Sequence, residues 1–158
     1  MNKMKYIVIH CTATPEGRVV TPDDIIRWHT SPKPKGRGWR QVGYADMILL
    51  DANLVNLVHY NYDEFVDSWE ITNGVSGLNH EALHIVYVGG CDKEMKPKNT
   101  LTAEQEMKLK TQIFEYIRLW PDILIAGHNQ FQAKACPSFD TVQMCRKWGV
   151  PEKNIYKK

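Results

Sequence analysis

The sequence predicts an α/β fold, a single domain in which a central mixed β-sheet is flanked by helices. Short apolar runs typical of buried strands are interspersed with segments that have helical spacing and helix-capping residues. The length of 158 residues suits one domain, since domains usually contain about 100–200 residues. Hydrophobic residues make up 43% and charged residues 24%, a globular composition that excludes a disordered or collagen-like chain.

The strands are predicted from short apolar runs. The first run has apolar side chains on both of its faces, as a central strand covered on both sides would have. Two later runs are separated by Asp51-Ala52-Asn53, which suits a hairpin connection, and another run ends at Gly89-Gly90. The predicted strands cover residues 6–11, 44–50, 54–58, 84–88 and 123–125.

Capping residues mark the helices. Thr21 suits an N-cap and Pro22 the first helical position, so a helix is predicted from there to about Thr30. Thr102 and Gln105 form a capping-box pattern at the start of the longest apolar-periodic segment. The predicted helices therefore cover residues 22–30, 101–120 and 139–148, with a basic loop over 31–40 and no clear element over 63–77.

Charge and hydropathy exclude several classes of protein. Lys and Arg number 20 against 18 Asp and Glu, and a net charge of +2 is too small for a dedicated nucleic-acid site. No apolar run reaches the roughly 18 residues of a membrane span. The start also lacks the apolar stretch of about 7–15 residues that a signal peptide needs, so we expect a chain that is cytoplasmic as synthesised. Its four cysteines are then expected to be free thiols or metal ligands.

Two histidines and one cysteine form the main candidate site. His10 and His128 each follow an apolar strand, and Cys136 lies eight residues beyond His128. If the two strands are parallel neighbours, both imidazoles emerge at one edge of the sheet, where α/β proteins tend to present functional groups. Two imidazoles and a thiolate suit zinc, with the fourth position left for water. The spacing also allows a Cys136 nucleophile with His128 as its base, or histidines and a thiol that only pack.

Four segments carry a resemblance to a known family. Their sequences are IVIHCTAT at 7–14, GYADMIL at 43–49, GLNHEALHIVYVGG at 77–90 and AGHNQFQAKACPSFD at 126–140. They resemble the type-2 N-acetylmuramoyl-L-alanine amidases, which include phage amidases known as lysozymes and the peptidoglycan recognition proteins. The resemblance extends over roughly residues 5–147. Its most specific part is Gly-His-x(7)-Cys-Pro followed by Phe139-Asp140.

This resemblance implies a function and the residues that perform it. It implies a Zn²⁺ ion held by His10, His128 and Cys136, with catalytic Tyr44 and Lys134 beside the metal. Such enzymes cut the bond between the lactyl group of N-acetylmuramic acid and L-alanine in bacterial peptidoglycan. Residues 1–158 would then form one zinc amidase domain, expected to act as a monomer. We expect Asn79, from the resembling segment, and Trp39, from its Gly-rich basic loop, to bind substrate.

One departure from the family and three alternatives accompany this interpretation. Many members carry a histidine five residues before the asparagine that matches Asn79, whereas this chain has Gly74, so a substrate-facing imidazole is expected to be missing. A non-catalytic peptidoglycan-binding module is one alternative, but such modules often replace the ligand cysteine by serine, and Cys136 is retained. Some phage members also inhibit an RNA polymerase, which leaves a regulatory binding protein as another. The expected role is a phage or prophage endolysin, with a toxin delivered by a secretion apparatus as the third.

Overall fold

The computed structural model describes residues 2–158, which form three layers: helices on both faces of a central sheet. The strands of this part of the chain are β1 (Asn2–Lys3), β2 (Tyr6–Cys11), β3 (Thr14–Pro15), β4 (Asp46–Ile48), β5 (Leu54–Asn56), β6 (Phe65–Val66), β7 (Ala82–Tyr87), β8 (Gly90–Cys91) and β9 (Leu124–Gly127). The α-helices are α1 (Pro22–Thr30), α2 (Ala103–Leu119) and α3 (Thr141–Trp148). The predicted α/β fold with a mixed central sheet is therefore confirmed.

The central sheet has five strands in the order β5-β4-β7-β2-β9. Strands β4, β7, β2 and β9 pair in parallel, and β5 pairs antiparallel with β4 as the second strand of the predicted hairpin. Two small pairs lie outside this sheet, β1 with β6 and β3 with β8. Strand β2 is thus central, with β7 on one side and β9 on the other.

Alternate side chains of the central strands pack on opposite faces. Ile7 and Ile9 of β2 face α2 and α3, where Leu109, Ile113 and Trp148 complete the main core. On the other face, Val86 of β7 packs with a cluster that includes Ile25 of α1. Since side chains alternate along a strand, His10 points to the same face as Val8, the face that carries α1.

The helix boundaries follow their caps. Thr21 and Asp24 form a capping box at α1, and Thr102 and Gln105 form the one predicted at α2. The last helix begins at Thr141 rather than at the predicted residue 139, because the Asp140 side chain accepts a hydrogen bond from the Gln143 backbone and acts as the N-cap. Gly149 ends α3 with a positive φ of 82°, a conformation that glycine adopts without strain.

The strand boundaries differ more from the prediction. The segment predicted as a strand over 44–50 contains only β4, because Leu49 already belongs to the hairpin turn, where its N–H bonds the Asn53 carbonyl. Strand β7 begins two residues before the predicted 84, since Ala82 pairs with Tyr6 of β2. The two-residue strands were not predicted because each depends on a distant partner. Among the described residues, no helix combines the length and apolar character that crossing a bilayer requires.

A buried carboxylate connects the sheet to α2. Asp46 of β4 is 2% exposed, and its Oδ2 accepts hydrogen bonds from the hydroxyls of Tyr60, at 2.6 Å, and Tyr116. Its Oδ1 accepts one from Asn56 Nδ2 at 2.9 Å. Because a buried carboxylate is costly unless its oxygens are hydrogen-bonded, these three donors stabilise the packing of β4 against β5 and α2.

We expect Tyr116→Phe to lower the free energy of unfolding by about 1.5–3 kcal/mol, because it removes one donor from a buried charged acceptor. Urea denaturation followed by circular dichroism measures this change. Tyr62→Phe is the matched control, since Tyr62 is 58% exposed and its variant should change the value by no more than about 0.5 kcal/mol. Equal stabilities of the Tyr116 variant and the parent protein would contradict this role of Asp46.

Candidate functional site

The parallel sheet brings three histidines together at one edge. His10 lies near the end of β2, His84 lies on β7, and His128 directly follows β9. The His10 ring centroid is 5.0 Å from that of His84 and 4.8 Å from that of His128. The two imidazoles were expected to meet only if their strands were parallel neighbours, and β2 does pair in parallel with β9. This pairing explains why His10 and His128, which are 118 positions apart in the sequence, lie together.

Cys136 completes a group of possible metal ligands. One donor atom each from His10, His128 and Cys136 lies within 4.8 Å of the others. The Cys136 sulfur is 3.7 Å from His10 Nδ1 and accepts a hydrogen bond from the Cys11 backbone N–H at 3.2 Å. All four cysteines are free thiols, so nothing competes covalently for this sulfur.

The Nε2 atom of each imidazole in this group has a hydrogen-bond partner. His10 Nε2 is 2.9 Å from Nδ1 of His84, and His128 Nε2 is 2.7 Å from Oε1 of Gln132. Ligand histidines in metal sites usually donate their second N–H to such a neighbouring group, which orients the ring. The two imidazoles therefore have the surroundings of metal ligands before any ion is considered.

Burial keeps these imidazoles neutral. Burial, together with His84, holds the pKa of His10 well below its usual range, and burial lowers the pKa of His84 to about 3. Burial also lowers the pKa of His128. A neutral imidazole has a free lone pair, so the site is ready to bind a cation without first losing protons from its histidines.

The thiol has the opposite tendency. The adjacent Cys11 thiol and burial raise the pKa of Cys136, so the free thiol stays protonated near neutral pH. A bound cation would stabilise the thiolate, to which the Cys11 N–H already points. Nitrogen and sulfur donors without a carboxylate fit zinc and do not fit the oxygen-seeking ions magnesium and calcium. The roles of the three residues as ligands stay a prediction.

An open groove of about 600 Å³ lies over this cluster. The cluster residues His128 and Cys136 form part of its wall. The other residues predicted to act in the site also line it: Trp39, Tyr44, Asn79 and Lys134. The structure thus brings the residues that the sequence singled out to one groove, except His10, which is buried beneath it, although the structure does not test their roles.

Tyr44 and Lys134 differ in environment. The Tyr44 ring lies 5.0 Å from that of His10, and burial raises the pKa of its hydroxyl, which therefore remains a proton donor at neutral pH. Lys134 is exposed, two residues before Cys136. Within residues 2–158 its ammonium forms no ion pair, so its charge is available to the groove.

Trp39 belongs to an aromatic wall of the groove. Its ring lies 4.9 Å from that of His29 and 5.0 Å from the Arg37 guanidinium, a cation–π distance. His29 is itself fixed, because its Nδ1 accepts the Gly43 N–H at 2.9 Å. His29 was not predicted as a site residue, since it looks like an ordinary polar residue at the end of a helix.

His84 is the residue that sequence reasoning most clearly missed. Its apolar sequence neighbours give it the appearance of a core histidine, and it is indeed fully buried and hydrogen-bonded, yet its partner is the candidate ligand His10. The space beside Gly74 belongs to this ring, since a Cβ on Gly74 would lie 2.3 Å from His84 Cγ. Position 74 therefore lacks an imidazole, and the His84 side chain of β7 fills the space beside it. The His84 ring, however, is buried beneath the groove.

Comparison with known proteins agrees with this geometry. No protein-family profile matches the chain. The endolysin of Enterobacteria phage K11 is 30% identical over 132 residues, which cover 84% of this chain and 79% of that protein.

Solved structures share the fold. The Ph2119 endolysin from a Thermus scotoductus bacteriophage superimposes with a TM-score of 0.72 at 23% identity, covering 96% of this chain and 88% of that one. For the N-acetylmuramoyl-L-alanine amidase LysC from Clostridium intestinale URNW, the TM-score is 0.71 at 20% identity, with 94% and 87% covered. The identity to the K11 endolysin, this shared fold and the matching motifs show that the chain belongs to the type-2 N-acetylmuramoyl-L-alanine amidase family, alongside phage endolysins.

Proposed function

We propose that the protein is a zinc-dependent N-acetylmuramoyl-L-alanine amidase that acts as a phage or prophage endolysin. Its substrate would be bacterial peptidoglycan, cut between the lactyl group of N-acetylmuramic acid and L-alanine. The observation that carries the proposal is the convergence of two neutral imidazoles and one thiol within 4.8 Å beside an open groove. The relationship to phage endolysins supports the same conclusion. The protein would reach the cell wall after release from the cytoplasm.

Amide hydrolysis needs a stronger nucleophile than water and a more reactive carbonyl. When bound by His10, His128 and Cys136, zinc would supply both, as a Lewis acid that activates water and polarises the carbonyl. The protein's part is to hold the amide in the groove next to this centre. Neutral imidazoles matter here, because additional positive charge in the ligand set would oppose cation binding.

Lys134 and Tyr44 suit the stabilisation of negative charge. Attack on the amide creates an oxyanion, and fixed donors directed at such a charge are among the largest contributions to catalysis. Lys134 offers an unpaired ammonium at the groove, and Tyr44 offers a hydroxyl that stays protonated. Trp39 and Asn79, which also line the groove, would contact the glycan and stem peptide.

The cysteine-nucleophile alternative has less support. A nucleophilic cysteine needs a lowered pKa and a base that a third group orients, often an acid. The His128 ring is hydrogen-bonded to the neutral Gln132 amide, and no carboxylate of the described residues is hydrogen-bonded to it. A non-catalytic binding module is disfavoured because the full donor set is retained.

Cys136→Ser should abolish hydrolysis and reduce zinc from about one equivalent per chain to a trace, because a serine hydroxyl stays protonated where a thiolate binds zinc. Binding to peptidoglycan should be largely retained. Elemental analysis of the folded variants measures the metal directly. Cys91→Ser is the control, since Cys91 is a thiol outside the cluster. Full zinc occupancy in folded Cys136→Ser would exclude Cys136 as a ligand.

Lys134→Ala should lower kcat by about 100- to 1000-fold with little change in KM, because the lysine acts on charge that exists only in the transition state. Release of peptide from purified cell walls measures both parameters. Lys108→Ala removes an equal charge from the exposed side of α2, away from the groove, and should retain full activity. A KM effect alone would assign Lys134 to substrate binding.

Tyr44→Phe should lower kcat by about 100-fold, as expected for loss of one hydrogen-bond donor to the oxyanion. The phenyl ring preserves the contacts with His10 and His29, so zinc content and stability should stay unchanged. The same wall-release assay, together with elemental analysis, measures these quantities. Normal turnover in this variant would leave Tyr44 with a packing role.

A further inference from the structure

The orientation of the Asn79 amide is set by the backbone. The Val75 N–H donates a hydrogen bond to Asn79 Oδ1 at 2.8 Å, so this side-chain atom is an oxygen, since an amide nitrogen could not accept it. The same oxygen lies 2.9 Å from Nε2 of His84. Oxygen can only accept here, and therefore His84 Nε2 carries the proton.

The position of the proton on His84 also determines which nitrogen of His10 is protonated. A neutral imidazole has one N–H, so His84 Nδ1 is an acceptor, and the His10 Nε2 that lies 2.9 Å from it must be the donor. His10 then keeps its lone pair on Nδ1, the nitrogen that is 3.7 Å from the Cys136 sulfur. Both rings are buried, with exposed fractions of 0% and 1%, and no carboxylate of the described residues is hydrogen-bonded to either, which favours the neutral forms.

We propose that His84 is a positioning residue for the metal centre. Through the chain from the Val75 backbone to Asn79, His84 and His10, it fixes the tautomer and the orientation of the His10 ring, so that Nδ1 is presented to the metal. The role of this arrangement in presenting His10 to a metal rests on the proposed function, since it requires the zinc site. The tautomer itself is a property of the metal-free protein and is measurable without zinc.

Gly74 makes this arrangement sterically possible. A Cβ at position 74 would lie 2.3 Å from both Cγ and Nδ1 of His84, well inside any real contact distance. Even alanine at 74 would therefore displace the His84 ring from His10. Gly74→Ala thus perturbs the hydrogen-bonded chain from Val75 to His10 without changing any residue that takes part in it.

Two substitutions of His84 separate its hydrogen bonding from its bulk. His84→Phe fills the space of the ring but accepts no hydrogen bond, so the His10 N–H is left unpaired. In His84→Gln the side-chain oxygen accepts from His10 and its amide donates to Asn79, which keeps the donor direction. We expect the zinc dissociation constant to rise by about 10- to 100-fold for His84→Phe, the usual effect of losing such a partner, and His84→Gln to recover most of the affinity.

Zinc affinity is measured by competition with a chromogenic chelator on variants shown to be folded by circular dichroism. His59→Phe is the matched control, because it removes an exposed imidazole and should leave the affinity unchanged. If His84→Phe does not fold, Gly74→Ala takes its place and should weaken binding in the same direction. Unchanged zinc affinity in a folded His84→Phe, or in Gly74→Ala when that is the variant used, would overturn the proposal.

The tautomer gives a readout that is independent of metal. In the metal-free protein labelled with ¹⁵N-histidine, two-bond proton–nitrogen correlations should show His10 protonated at Nε2 and His84 protonated at Nε2. Protonation of His10 at Nδ1 would overturn the proposal. If the parent protein shows these tautomers but binds no zinc, the proposed metal centre is wrong. The positioning of His10 by His84 would still hold in that case.

Discussion

The site depends on the parallel pairing of β2 with β7 on one side and with β9 on the other. That register sets His10 opposite Val86, one alternate position beyond His84 on the same face, and aligns Ile9 with Gly127, the residue before His128. The sheet therefore determines the distances of the candidate ligands, and the loop after β9 has only to return Cys136 to them.

Burial of the His10 and His84 imidazoles is unfavourable unless neighbouring groups form hydrogen bonds with them. His10 and His84 are almost fully buried, and each would be destabilising if its ring nitrogens were unpaired. The structure satisfies them with one another and with the Asn79 amide, all as neutral groups. The groove side, in contrast, keeps the exposed Lys134 ammonium. Charge is thus kept out of the sheet edge and retained where a substrate would lie.

Sequence reasoning recovered what local patterns encode. The fold class, the three helices, the N-cap at Thr21 and the capping box at Thr102 follow from residues near one another in the chain. The meeting of His10 with His128 followed once parallel pairing was assumed. The contact of His84 with His10 was missed because a histidine inside an apolar strand looks like a core residue until its neighbouring strand is known. The short strands were missed for the same reason, since Asn2 pairs with Val66 across the chain.

The link between Gly74 and His84 shows why a departure from a family pattern should be interpreted through packing. Taken alone, glycine at position 74 looks like the loss of an imidazole. In the fold, that glycine lies against the His84 ring, and the two positions cannot both carry large side chains. An imidazole therefore lies beside position 74, but it belongs to His84 of β7. It contacts the candidate ligand His10 and does not face the groove. Glycine at position 74 is, in this chain, a steric requirement for the position of the His84 ring.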